Sequence, residues 1–216
     1  MIRCLSFAAL VALAVPAGAQ IGRAPRGGSP DPGYWVGLSY GYMDGLTLND
    51  GHSNSTWRFN YTSQIRATFE KTMSRNLTIG ASAGFSNPRL AYTGRAIGDP
   101  CGPGCEADAE VTQYLAFIRS GGGVGFHGLF NLEAGVTQFA NFHGRTSGSD
   151  LSQVGTARDF TFGLGGGFGF GFSPTTEIYI AEQVDLVMHP QGDEPGTEST
   201  SAPRSSAFRL GARIGF

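Results

Sequence analysis

Phe160-Thr161-Phe162-Gly163-Leu164-Gly165-Gly166-Gly167-Phe168-Gly169-Phe170-Gly171-Phe172 alternates between two chemistries. Phe160, Phe162, Leu164, Phe168, Phe170 and Phe172 fall on one face of an extended chain. Thr161, Gly163, Gly165, Gly167, Gly169 and Gly171 fall on the other. Successive side chains of a strand point to opposite sides, so this pattern predicts a strand over 157–172 and excludes a helix. Glycine weakens a strand unless another group needs the space it leaves. A face of glycines therefore points somewhere crowded.

The same alternation recurs on both sides of this stretch. Strands are expected at 33–43, 56–71, 77–92, 109–120, 124–142, 177–188 and 204–216, which makes eight in all. Tyr34, Val36, Leu38, Tyr40 and Tyr42 share a face of the first, and Trp57, Phe59, Tyr61, Ile65, Ala67 and Phe69 a face of the second. Leu77, Ile79, Ala81, Ala83 and Phe85 line the third, whose register is expected to break at Asn87-Pro88 because proline donates no ladder hydrogen bond. The fourth is ambiguous, since Leu115 and Phe117 oppose Tyr114, Ala116 and Ile118. In the fifth, Phe126, Phe130, Leu132, Ala134, Val136 and Phe142 oppose His127, Asn131, Glu133 and Thr137. In the seventh, Glu182 sits among Ile178, Ile180, Val184, Leu186 and Met188, so either a bulge or a different register is expected there.

Composition agrees with a β-protein of unusual surface. Of 216 residues, 34 are Gly and 16 Phe, and charged residues are only 15%. The glycines have no three-residue period, which excludes collagen, and they interleave with aromatics, which argues against disorder. A formal net charge of -2 offers no basic face for nucleic acid. Beyond residue 20, no run of 18 apolar residues suggests a spanning helix.

Met1-Ile2-Arg3, the apolar run Leu5 to Val15 and Ala17-Gly18-Ala19 have the three parts of a secretory signal peptide. Residues 1–19 are expected to be cleaved, leaving Gln20 as the new N-terminus and 20–32 as a short periplasmic lead-in. Cys4 precedes the apolar run, where lipid attachment is not expected. The mature chain then keeps two cysteines, in Cys101-Gly102-Pro103-Gly104-Cys105. In an oxidising compartment this reads as a small loop disulfide, with two free thiols as the alternative.

Alternation alone does not say which face turns inward. Three features place the aromatics outside. Their bulk exceeds what eight strands enclose. The opposite faces carry Gly, Ser and Thr with a few charges that can pair across a narrow lumen. Aromatics also gather at both strand ends: Tyr34, Phe69, Phe126, Phe172 and Phe216 near the short turns, and Tyr42, Trp57, Phe142 and Phe160 near the long loops. Turns at 73–76, 121–123 and 173–176 are short, whereas loops at 44–55, 93–108, 143–156 and 189–203 are long. The expected fold is all-β, an eight-stranded antiparallel transmembrane up-and-down β-barrel over 33–216, with those loops extracellular.

Phe208, Leu210, Ala212, Ile214 and Phe216 alternate with Arg209, Gly211, Arg213 and Gly215. This closely resembles the terminal strand of bacterial outer-membrane barrels, and the mature chain resembles small barrels of the OmpA/OmpX type. The resemblance implies location in the bacterial outer membrane. It also implies that Phe208, Leu210, Ile214 and Phe216 form the signal read by the barrel-assembly machinery. Ala212 is smaller than that pattern often has.

An eight-stranded barrel is filled by its own side chains, and a buried charge needs a partner. Arg58, Arg66, Arg209 and Arg213 are therefore expected to meet Glu70, Glu133 and Asp185 in a lumenal network. Gly123-Val124-Gly125-Phe126-His127-Gly128 spells GxGxxG but opens a strand, not the helix that a dinucleotide site requires. His127 lies beside Asn131 and Glu133 with no serine placed against it, so a structural histidine is expected. The loop acids Asp44, Asp50, Glu106, Asp108, Asp150, Asp193, Glu194 and Glu198 match no calcium-loop spacing. No catalytic residue, cofactor or metal is expected. The expected role is structural or surface-interacting, with outer-membrane lipid, lipopolysaccharide and an extracellular ligand at the loops as partners. A small pore or transport accessory, a lipid-modifying enzyme on the same scaffold, and a soluble barrel holding an apolar ligand are the alternatives.

Overall fold

A computed structural model describes residues 32–50, 55–93, 104–145, 156–190, 200–201 and 203–216. The expected signal peptide, nearly all of the lead-in, Cys101, and Asp150, Asp193, Glu194 and Glu198 lie outside the described residues. Twelve strands follow one another: β1 (Tyr34–Met43), β2 (Leu46–Asp50), β3 (Ser55–Phe59), β4 (Thr62–Ser74), β5 (Leu77–Ser86), β6 (Arg89–Thr93), β7 (Cys105–Ser120), β8 (Gly125–Gly144), β9 (Ala157–Ser173), β10 (Thr176–Pro190), β11 (Thr200–Ser201) and β12 (Arg204–Gly215). Each of β1, β4, β5, β7, β8, β9, β10 and β12 pairs antiparallel with two neighbours, and β1 pairs with β12, which closes an eight-stranded barrel. Closure leaves none of these eight strands with an open edge, whereas β2 pairs with β3 alone and β11 with β10 alone. Strands β2, β3 and β6 continue β1, β4 and β5 beyond the barrel waist, within or next to segments read as loops. They form a collar at the long-loop end.

In the barrel proper, the apolar face looks out. Val36, Leu38, Tyr40, Tyr42, Ile65, Phe69, Phe85, Tyr114, Phe130, Phe160, Leu164, Ile180, Phe208, Leu210, Ile214 and Phe216 are all exposed. Strand β7 resolves the ambiguous fourth segment. Its alternation runs unbroken from Cys105 to Ser120, with Leu115, Phe117 and Arg119 inside and Tyr114 and Ile118 outside. Aromatic pairs ring the short-turn end: Tyr34 stacks on Phe69 at 5.8 Å and on Phe216 at 6.2 Å. No bulge occurs at Glu182. It stays on the outer face, opposite Gly166 and Phe208, and the only slip between β9 and β10 falls at Thr176/Glu177.

The collar reverses the facing. Leu46, Leu48, Trp57, Phe59, Leu90, Tyr92, Ala107, Val111, Phe139, Phe142 and Val187 form one buried apolar cluster inside it. Between β1 and β2 both Asp44 and Gly45 are exposed, and opposite them both Asn60 and Tyr61 are exposed between β3 and β4. One extra residue in a strand sends every later side chain to the other face. Backbone groups at these slips remain paired, with Asp44 N–H donating to Ser206 C=O at 2.7 Å and Asn60 N–H to Arg89 C=O at 2.8 Å. A third slip lies in β8, where Asn141 adopts φ 52° and turns Phe142 inward.

Two expectations are thereby corrected. Arg58 faces outward and is exposed, whereas Trp57 and Phe59 face inward, so Trp57 and Phe142 belong to the collar core and not to an outer aromatic girdle. The Asn87-Pro88 step does not shift the register either. Ser86 pairs with Val111 and Arg89 with Asp108 along one continuous alignment, and Ala109 N–H reaches Pro88 C=O at 3.1 Å.

Candidate functional site

The lumen is the part of this molecule where chemistry concentrates. Its waist holds Arg66, Arg209, Glu133 and Asp185, joined by three glutamines. Arg66 donates to Glu133 at 2.6 Å, to Gln183 at 3.1 Å and to Gln113 at 3.0 Å. Arg209 donates to Gln64 at 2.7 Å and also to Gln183. Gln183 donates in turn to Glu133 at 2.8 Å and to Asp185 at 2.6 Å, and Gln113 donates to Asp185 at 3.2 Å. Two guanidinium groups thus face two carboxylates, and the amides bridge gaps too wide for direct pairing.

A second cluster lies nearer the short turns. Glu70 accepts from Arg119 at 2.6 Å and from Arg213 at 2.9 Å, and Glu177 accepts from Arg213 at 2.8 Å. His127 places Nε2 3.1 Å from Glu177 and Nδ1 3.0 Å from the Gly125 carbonyl. Glu70 is fully buried and takes a further bond from Thr78 at 2.8 Å. The guanidinium groups also lie on aromatic faces, Arg119 at 5.0 Å from the Tyr179 ring centre and Arg213 at 4.4 Å from Trp35. Such stacking satisfies a planar cation above and below its hydrogen-bonding edge.

The glycine face of the opening stretch makes this arrangement fit. A methyl group on Gly169 would lie 2.6 Å from His127 Nε2, where contact is already close. Between the two clusters remains a cavity of about 20 Å³, lined by Arg66, Arg119, Glu133, Tyr179 and Arg209 among others and large enough for one water. At the collar, Asp159 meets His189 Nδ1 at 2.7 Å, and the His189 ring lies 5.8 Å from Trp57.

Of the residues expected in the lumenal network, Arg66, Glu70, Glu133, Asp185, Arg209 and Arg213 lie inside and Arg58 does not. Gln64, Gln113, Gln183, Arg119 and Glu177 are further members. Gln64 and Gln183 stand two positions from Arg66 and Asp185, so strand period alone puts them on the lumen face. As neutral amides they carry no charge that demands a buried partner. Arg119 was hidden by the unresolved facing of β7. Gly123-Val124-Gly125-Phe126-His127-Gly128 forms a turn and the start of β8, with Gly123 at φ 119° and Gly125 at φ 88°. Cys105 is buried at the start of β7. Among the loop acids, Asp108 pairs with Arg145 at 3.0 Å and Asp44 accepts from Ser206 at 2.7 Å. Among the described residues, no group of three or more His, Cys, Asp or Glu could hold a metal ion.

No family model and no curated protein matches the sequence. Solved structures do match. Neisserial surface protein A aligns over 85% of this chain and 97% of its own, at 11% identity and a TM-score of 0.50. The outer membrane protein OprG from Pseudomonas aeruginosa aligns over 86% and 97%, at 12% identity and a TM-score of 0.52. The fold is that of a small eight-stranded outer-membrane β-barrel. At these identities the likeness concerns the fold alone. The exposed Phe, Tyr, Leu and Ile of an outer-membrane barrel are its lipid-facing surface, which explains why so large an apolar area is left uncovered.

Proposed function

We propose that this chain is a non-enzymatic barrel of the bacterial outer membrane, exported by residues 1–19. Its lumen is plugged, and its role is structural or lies in contacts made at its long-loop rim. One observation carries this reading: two charge-balanced clusters fill the waist, and an apolar core closes the collar above them. A solute would have to break several buried ion pairs to pass, each costly to open. The outer face of the collar carries exposed Arg58, Arg89, Arg158 and Arg204. There they would meet phosphate-bearing headgroups of lipopolysaccharide, which guanidinium groups bind well. His127 and His189 are each held by a carboxylate, Glu177 at 3.1 Å and Asp159 at 2.7 Å, which suits a structural histidine.

Several finer readings belong to the same proposal. Residues 20–32 are a periplasmic lead-in. Phe208, Leu210 and Ile214 on the outer face of β12, with the exposed Phe216 that follows it, are the surface offered to the assembly machinery. Cys105 pairs with Cys101 in the exported protein, which a thiol count on the unreduced, unfolded chain checks. Planar-bilayer recording of the purified protein tests the main claim. Bilayers should stay silent, and long-lived unit conductances would replace the plugged barrel with a small pore.

A further inference from the structure

The lipid-facing surface is not uniform. Across β4, β5, β7, β8 and β9, a row of directly opposed residues runs Phe69–Ala81–Ala116–Ala134–Phe162. Its three central residues are alanines. The row nearer the short turns is bulky throughout, and the row on the far side is bulky over β7, β8 and β9 but carries Ala67 and Ala83 on β4 and β5. Ile79, Ile118 and Leu132 stand on one side, Tyr114 and Val136 on the other, and all are exposed. The result is an apolar groove of about 600 Å³, bounded at its ends by Phe69 and Phe162 and reaching Lys71.

The groove is inclined. Phe69 lies five residues before β4 ends at Ser74, and Ala116 four before β7 ends at Ser120. Phe162 lies eleven before β9 ends at Ser173. It therefore starts near the short-turn rim and climbs toward mid-barrel. Four steps between strands of about 4.8 Å each give a length of about 19 Å, which suits a long acyl chain. At its low end, Lys71 and the turn residue Arg75 are exposed and have no ion-pair partner among the described residues. Lys71 is the only lysine in the chain. No carboxylate faces outward on the short-turn half of β4, β5, β7 or β8. Two unpaired cations at the foot of an apolar groove complement an anion joined to a hydrocarbon tail.

We propose that this groove is a phospholipid site. One acyl chain of a periplasmic-leaflet phospholipid lies over Ala81, Ala116 and Ala134, and its phosphate sits on Lys71 and Arg75. The inference rests on the membrane facing described above. Its test uses the full-length mature protein in vesicles doped with a phospholipid that carries a photoactivatable group in its tail. Labelled peptides are then mapped.

Labelling should be several-fold heavier on residues 79–83, 114–118 and 132–136 than on the opposite face at 178–186 and 208–214. Ala116→Phe should remove the excess by filling the groove. Lys71→Gln with Arg75→Gln should reduce it, and Lys71→Arg should preserve it. Equal labelling of both faces would overturn the site. Weak labelling of the groove, together with cross-linked dimers, would also overturn it by seating a second copy there. Absence of label from both faces would instead refute the membrane facing itself, so the two failures are distinguishable.

Discussion

Strand β12 and the β3 segment of the collar use the same alphabet in opposite senses. In β12, Phe208, Leu210 and Ile214 look out, as does Phe216 just beyond it, and Arg209 and Arg213 look in. In β3, Trp57 and Phe59 look in and Arg58 looks out. Both patterns obey one rule, that apolar groups avoid water. The difference lies in where the water is. Under the proposed outer-membrane placement β12 is surrounded by hydrocarbon, so the polar face is folded inward and must satisfy itself through ion pairs. Under the same proposed placement β3 stands in water, so the barrel closes there over an ordinary apolar core. The changeover is abrupt. It falls at the paired slips of Asp44–Gly45 and Asn60–Tyr61, where Tyr42 and Tyr61 lie 6.4 Å apart at the height expected for an interface.

The largest expected effects come from breaking each half at its centre. Glu70→Ala leaves Arg119 without its carboxylate and takes one of two from Arg213, and losing one partner of a buried pair costs about 3–5 kcal/mol. Trp57→Ala opens the collar core, at a similar ~3–5 kcal/mol. The two should differ in reach. Hydrogen exchange on the vesicle-bound protein should show Trp57→Ala loosening β2, β3 and β6 and leaving β12 protected. Glu70→Ala should lower the stability of the whole barrel in urea titration. If Trp57→Ala exposes β12 amides as well, collar and barrel form one cooperative unit.

The sequence carried one half of this comparison and obscured the other. Strand positions, the outward aromatics of β1, β9 and β12, and the inward Arg66, Glu133, Arg209 and Arg213 follow from period two once hydrocarbon is placed outside. Arg58 was misplaced for the same reason. Its alternation with Trp57 and Phe59 is real, but the slip at Asn60–Tyr61 inverts its facing, and these residues carry no glycine or proline to mark the spot. Asn87-Pro88 has the mark without the slip, because the β6 register is held by β7. The glutamine bridges were legible only by position, since a neutral amide looks as suitable for water as for a lumen. Pairing partners such as Arg119 with Glu70 depend on strand order and shear across the barrel, which no local pattern contains.

A single substitution placed in both halves tests the facing directly. Leu164→Arg puts a cation on the lipid face near the barrel midplane and should cost about 2–4 kcal/mol. Thr47→Arg puts the same side chain on the exposed outer face of the collar, where the change should stay within about 0.5 kcal/mol. Reversible unfolding of both variants in phospholipid vesicles supplies the measurement. Equal costs would mean that collar and barrel share one environment, and a neutral Leu164→Arg would mean that the barrel face is inverted.

The smallest contrast uses two adjacent glycines of the stretch that first indicated a strand. A methyl on Gly167 would point into the lumen and lie 2.6 Å from the Ala181 Cα, against backbone that the β9–β10 ladder holds in place. Overpacking of this kind costs about 1–3 kcal/mol. A methyl on Gly166 would point out of the barrel, with nothing nearer than the Leu129 carbonyl at 3.7 Å. Gly166→Ala should be neutral or should stabilise by about 0.4–1 kcal/mol through the lost freedom of the unfolded chain. Unfolding midpoints that move in opposite directions would locate the wall of the barrel between two consecutive residues. Midpoints that move together would show that glycine is kept at both positions for a reason other than space.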